Sequence, residues 1–223
     1  MRPKLLDMFC GAGGAGMGYH RAGFDVTGVD INPQPRYPFK FIQGDALEYL
    51  AEHGGEYDAI HASPPCQFYT ELPGDFSHYP DLIAATRELL IRTGGPYVIE
   101  NVGGARRELN APIMLCGHQF GLKTYRHRFF ECYPFLLAPP HIAHPEACPP
   151  TGRGRSNVHG FISVTGNGGA PNLGMPYLEY ARIAMGISWM DRSELSQAIP
   201  PAYTEFIGRH VMKYVLEIKG ATP

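Results

Sequence analysis

Short apolar runs alternate with amphipathic stretches through the first hundred residues. Lys4–Met8 is apolar enough for a strand and runs into the glycine cluster of "FCGAGGAGMGYHRAGF", from which a helix is predicted to about Ala22, with Gly23 as its stop signal. Val26–Val29 reads as a second strand ended by Asp30, and Phe39–Ile42 as a third. "GDALEYL" follows as a short helix with Asp45 near its start, and Tyr57–Ala62 is a fourth strand. Across Asp81–Arg92 the apolar positions Leu82, Ile83, Thr86, Leu89 and Leu90 recur on one helical face, and Gly94 closes the helix. "PYVIENV" is a fifth strand. Strands alternating with helices at this spacing predict a parallel sheet covered on both faces.

The second half is less regular. Residues 134–175 are rich in proline, glycine and histidine and show no periodicity, so loops and short strands are expected there. "YLEYARIAMGI" is helical with Gly186 as its end, and "PPAYTEFIGRHVMKYVLEIK" is a helix starting near its two prolines. Its apolar face is Phe206, Ile207, Val211, Tyr214, Val215 and Ile218. At 223 residues the chain can bury a sizeable core. The expectation is one α/β domain over residues 1–223: a mostly parallel sheet flanked by helices, with 132–175 as a small irregular insert.

Composition narrows the partners. The formal charge of −2 means that any nucleic-acid contact must come from a local basic patch. No run of 18 apolar residues occurs, so no membrane span is expected. "MRPKLLDMF" meets Asp7 too early for a signal-peptide core. Five scattered cysteines suit a reducing cytoplasm better than a disulfide framework.

Candidate chemistry gathers at strand ends. Gly11, Gly13 and Gly16 satisfy G-x-G-x-x-G between a strand and a helix, where a ligand can approach backbone amides and the helix N-terminus. Asp30 ends the next strand, where an acid can accept from ribose hydroxyls, and Asp45 follows the third, where a carboxylate could meet an adenine amino group. The pocket is adenosine-like; the motif alone does not separate NAD from S-adenosylmethionine. In "HASPPCQFYT" two prolines hold Cys66 at the carboxyl end of the fourth strand, and Glu100 and Asn101 leave the fifth beside it. Arg126 and Arg128 in "TYRHRFFE" alternate on an expected strand and would share a face. Cys132, His141, His144 and Cys148 could form a Cys2His2 set, but their spacing matches no common zinc finger and no metal is assigned.

"DMFCGAGGAGMGYHRAGF", "GVDINP", "GDA", "SPPCQ", "ENV", "RHRFF" and "AIPPAYTEFIG" run in the order of the DNA cytosine-5 methyltransferase motifs, so the chain resembles that family over roughly residues 4–131 and 176–215. The resemblance implies a Rossmann-like, S-adenosylmethionine-dependent methyltransferase fold and methyl transfer to cytosine carbon 5 in DNA. By it, Cys66 is the thiolate that adds to ring carbon 6. Glu100 holds a proton on ring N3, Arg128 with Arg126 binds the ring oxygen, and Asn101 fixes the elbow. On the cofactor side, Phe9 packs on adenine, Asp30 and Ile31 flank the ribose, Asp45 meets the adenine edge, Pro65 lines the cavity between cofactor and base, and Gln197 takes a cofactor-side position. The partner is DNA, as a duplex with a flipped cytosine or as a single strand. A monomer is favoured, in the cytoplasm of a prokaryotic or phage-infected cell.

Several positions depart from the family pattern. Thr124 replaces a glutamine, Gln197 replaces an asparagine, and an aromatic, proline-rich "FYTELPGDFSHYP" follows the cysteine. The target-recognition region is reduced; within it Arg153 and Arg155 could contact phosphates or a guanine edge. These departures leave open another carbon 5 substituent, such as hydroxymethyl from a folate, an RNA or nucleotide substrate, and a non-catalytic nucleic-acid-binding module.

Overall fold

A computed structural model describes residues 1–69, 78–144, 160–164 and 175–220. Seven strands form one sheet: β1 (Lys4–Met8), β2 (Asp25–Asp30), β3 (Lys40–Gln43), β4 (Ala59–Ala62), β5 (Tyr97–Asn101), β6 (Ile113–Leu115) and β7 (Arg128–Tyr133). Their order is β3-β2-β1-β4-β5-β7-β6. The strands from β3 to β5 are parallel, whereas β7 runs antiparallel to β5 and β6 antiparallel to β7. The mostly parallel expectation holds. Strand β6 is too short to be legible, and β4 starts at Ala59, two residues later than expected.

Among the described residues the α-helices are α1 (Gly14–Arg21), α2 (Ala46–His53), α3 (Ile83–Thr93), α4 (Tyr177–Met185), α5 (Arg192–Gln197) and α6 (Pro201–Ile218). Three glycine or proline signals act where expected. Gly94 and Gly186 end α3 and α4 in the left-handed conformation, and Pro201 opens α6 at its first turn. Helix α5 was not anticipated; Asp191 and Glu194 cap it reciprocally.

Alternation along the strands sorts the core into two layers. Leu5, Val26, Val98 and Phe130 face α1 and α6, where Tyr19, Tyr203, Ile207, Val211 and Val215 are buried. Leu6, Met8, Val29, Ile60 and Ile99 face α2 and α3, where Leu50, Ile83 and Leu90 are buried. Of the expected α6 face, Ile207, Val211 and Val215 are buried, Phe206 and Tyr214 are half-buried and Ile218 is exposed at the helix end, while Tyr203 also belongs to the core. A third cluster joins α4 and α5 to Ala12 in the glycine loop.

Strands β2 and β3 extend one way from β1, and β4 and β5 the other. The chain therefore reverses direction between β1 and β4, and the crevice at their carboxyl ends is where open α/β sheets bind ligands. Among the described residues no helix is long and apolar enough to cross a membrane.

Candidate active site

The glycine cluster divides into two groups with different work. Gly11 has φ +47° and open space where a side chain would sit, and its N–H donates to Asp30 Oδ2 at 3.0 Å. Gly13 and Gly16 are packed: a Cβ on Gly13 would lie 2.8 Å from Pro38, and one on Gly16 would lie 2.7 Å from Asp7 Oδ2. Only the first glycine leaves backbone exposed to a ligand; the others admit close neighbours. Asp30 also accepts from the Asn32 N–H at 2.9 Å, which fixes the carboxylate at the crevice beside the exposed Ile31. Phe9 stands at φ +54° in the same loop, partly buried against the α2/α3 layer. Asp45 caps α2, its Oδ1 accepting from the Leu47 and Glu48 N–H groups. That oxygen is committed to the helix, so an adenine contact would have to use the other.

The elbow after β4 is built by neighbours as well as by prolines. The Ser63 N–H bonds to the Met8 carbonyl at 3.2 Å, and Asn101 Nδ2 donates to the Pro64 carbonyl at 3.0 Å. Asn101 Oδ1 accepts from the Val102 N–H, so its side chain is fixed at both ends. Pro64 is buried, Pro65 half-buried and Cys66 exposed. Although the residue as a whole is exposed, partial desolvation of its sulfur and the Glu100 carboxylate push the Cys66 thiol up, while Arg128 and Arg126 pull it down. The net direction is upward, so the thiol is neutral in the free site.

Glu100 is 6% exposed, and Arg128 Nε stands 3.0 Å from its Oε1. The angle does not make a hydrogen bond, and Oε1 has no hydrogen-bond partner. Burial raises the Glu100 pKa, against the opposing pull of Arg128, Arg126 and a hydrogen bond from Ser63. Behind Ser63 a buried chain continues. His61 Nε2 lies 2.8 Å from Ser63 Oγ, and His61 Nδ1 lies 3.0 Å from Tyr19 OH. Desolvation lowers the His61 pKa to about 3, so the ring is neutral. In the sequence this chain is marked by nothing more than a polar residue within the apolar run of β4.

The two arginines do not share a strand face. Arg128 opens β7, but Arg126 precedes the strand at φ +34°. Its guanidinium donates to the carbonyls of Ala198, Val164 and Ser196 at 2.7–2.8 Å. The positive φ turns it away from the alternation that strand geometry would impose, and three of its five donors tie separate segments together. Tyr203 of α6 braces the same turn, its OH donating to the Arg126 carbonyl at 2.9 Å. Gln197 is exposed at the end of α5, between two of the carbonyls that Arg126 binds. Thr124, where a glutamine was expected, is buried.

Arg153 and Arg155 lie outside the described residues, as does Cys148. Cys132 is on β7, packed against the α1/α6 layer, and does not join His141 and His144. Cys132 is therefore separated from the other residues of that possible set, to which no metal is assigned: alternation along β7 turns it toward the core.

No protein-family model matches the chain. It is 35% identical over 75 residues to the Type II methyltransferase M.FnuDI of Fusobacterium nucleatum, covering 30% of this chain and 22% of that one. It is 34% identical over 85 residues to the Type II methyltransferase M.XorII of Xanthomonas oryzae pv. oryzae, covering 31% and 20%. The chain thus spans about a fifth of the length of these curated relatives. In structure it is similar to a DNA modification methyltransferase encoded within an E. coli prophage (TM-score 0.58, 15% identity, 96% of this chain and 99% of that one). It is also similar to the methyltransferase EhMeth of Entamoeba histolytica (TM-score 0.58, 13% identity, 98% and 99%). The chain is thus similar in sequence to Type II methyltransferases over about a third of its length, and in fold to methyltransferase structures over nearly its whole length.

Proposed function

We propose that the protein transfers a methyl group from S-adenosylmethionine to carbon 5 of cytosine in DNA, through a covalent adduct at Cys66. The observation that carries this reading is Glu100: a buried carboxyl with one oxygen lacking a hydrogen-bond partner, raised in pKa, beside Arg128 and the cysteine elbow. A carboxyl whose burial favours the protonated form can donate to ring N3 of cytosine, while Arg128 faces the developing charge on the ring.

The crevice fits the cofactor. Gly11 presents open backbone, and Asp30 is held by two amides yet keeps acceptor capacity for ribose hydroxyls. Phe9, Ile31 and Pro65 would supply apolar contact, and Gln197 a polar one from the α5 side. When bound, S-adenosylmethionine supplies an electrophilic methyl group. The protein's own contribution starts at Cys66. Its thiol loses a proton, the sulfur bonds to carbon 6, and the ring electrons pass to carbon 5 as Glu100 protonates N3. Carbon 5 would then accept the methyl group as its bond to the cofactor sulfur breaks and the thioether leaves, and the N3 proton returns to Glu100. Loss of the carbon 5 proton to a base re-forms the ring double bond and expels the Cys66 thiolate. Asn101, through Pro64, and the His61–Ser63 pair, through Glu100, position these groups. Because the free thiol is neutral, transfer should quicken as pH rises toward its pKa. Cytosine inside a duplex cannot reach Cys66, so the base is flipped or the strand is single.

The test is incubation with methyl-labelled cofactor and single-stranded DNA, duplex DNA or RNA, using wild type and Cys66→Ser. Mass spectrometry then identifies the modified nucleoside. Expected are 5-methylcytosine in DNA from wild type and none from the variant. Label surviving Cys66→Ser removes the covalent mechanism. Absence of label in every DNA overturns the assignment, and a different substituent at carbon 5 redirects it.

A further inference from the structure

Cys116, His127, His141 and His144 converge on one point outside the candidate active site. Cys116 directly follows β6, His127 directly precedes β7, and the other two come from the segment after β7. One ligand atom from each lies within 4.8 Å of every other. Cys116 Sγ is 3.3 Å from His144 Nε2, and His127 Nε2 is 3.2 Å from His141 Nε2. Zinc bound tetrahedrally at its usual bond lengths sets neighbouring ligands about 3.3–3.8 Å apart, so two edges of the tetrahedron are nearly at length and the others need a modest contraction.

We propose that these four residues bind one zinc ion as a closed structural site. The donor set argues for the metal: one soft thiolate and three imidazoles suit zinc, and four protein ligands leave no open position for water or substrate. The surroundings argue for a built site. Gln119 accepts from the Cys116 N–H at 2.7 Å through Oε1 and donates to the Pro139 carbonyl at 2.7 Å through Nε2. It thereby ties the cysteine to the segment that delivers His141. The His144 ring stacks on Tyr125, with centroids 3.7 Å apart and planes 2° from parallel. Such partners orient ligands before the ion arrives. The ion would also anchor the backbone next to the active site, because the His127 carbonyl accepts from Arg128 NH1 at 2.9 Å. The spacing is C-x10-H-x13-H-x2-H, which no finger pattern describes.

The test is metal analysis of the full chain after incubation with zinc alone and exchange into metal-free buffer. Alongside it, Co(II) substitution reads ligand type by visible absorption. Wild type should hold one zinc per chain and, with cobalt, show tetrahedral d–d bands and a thiolate charge-transfer band. His141→Ala changes an exposed ligand and should fold normally, yet bind at least roughly tenfold more weakly. Cys116→Ser should lose the charge-transfer band; if that variant does not fold, the band in wild type and its loss on alkylating the free thiol serve instead. Folded wild type without stoichiometric zinc overturns the proposal. So does unchanged affinity in His141→Ala, or a cobalt spectrum lacking the thiolate band. None of these readings depends on methyl transfer.

Discussion

Replacing Asp7 by asparagine removes a buried acid whose proton is linked to folding. Asp7 is 1% exposed on β1. Tyr37 OH donates to its Oδ2 at 3.1 Å, while Oδ1 has no partner. Burial pushes its pKa from 3.8 to about 8, with the nearby Asp30 adding to the rise and the bonds from Tyr37 and the Gly16 backbone opposing it. The folded chain therefore keeps a proton that the unfolded chain releases. The resulting stability is complete below pH 3.8 and is lost as pH rises through about 8. The loss runs at about 1.4 kcal/mol per pH unit, on the order of 6 kcal/mol over the whole window. His61 works in the opposite sense: burial lowers it from 6.5 to about 3, so its contribution is complete above 6.5 and is lost as pH falls. From about pH 4 to about pH 6 the two slopes cancel; from about 6.5 to about 8 Asp7 acts alone. Urea unfolding of wild type and Asp7→Asn from about pH 5 to about pH 7.5 separates them. The variant's stability relative to wild type should grow by about 1.4 kcal/mol per pH unit, whatever fixed cost the amide adds. A difference that stays constant over that range refutes the reasoning, because Asp7 would then titrate alike in both states.

Glu100→Gln keeps the shape but removes the proton donor, and should lower the single-turnover transfer rate by about 10²–10⁴-fold in a variant that keeps the wild-type circular dichroism spectrum. Gly18→Ala would place a Cβ 2.1 Å from Thr204 Oγ1 and 2.2 Å from the Pro201 carbonyl oxygen, forcing α1 off α6. Its cost should be about 3 kcal/mol, read from the urea midpoint. Arg126→Lys cannot reach three carbonyls with one ammonium and should destabilise by roughly 2–3 kcal/mol. An unchanged midpoint with transfer abolished would instead put Arg126 in the chemistry.

Local signals in the sequence were enough for the parallel half of the fold. β1, α1, β2 and α3 are bounded by residues whose backbone preferences are intrinsic, such as Gly94 and Asp30, and buried by apolar patterns of the right period. In a parallel sheet the carboxyl ends of the strands share one edge, which brings Gly11, Cys66 and Glu100 there without any knowledge of contacts; the strand order itself is seen only in the structure. Sequence could not say which glycines serve a ligand and which serve packing. Gly13 and Gly16 are packed where Gly11 is open, and the neighbours that pack them, Pro38, Tyr37 and Asp7, come from other elements. Nor could it show that Arg126 turns away from Arg128, since that depends on a positive φ braced by Tyr203, 77 residues on. The pairing of Cys116 with His127, His141 and His144 is the clearest instance. Spacing directed attention to Cys132 and Cys148, but the antiparallel return of β7 beside β6 sets Cys116 next to His127 and sends Cys132 into the core. Residues close in sequence reveal their chemistry through local geometry, whereas groups assembled from distant segments are fixed only by the tertiary packing that brings them together.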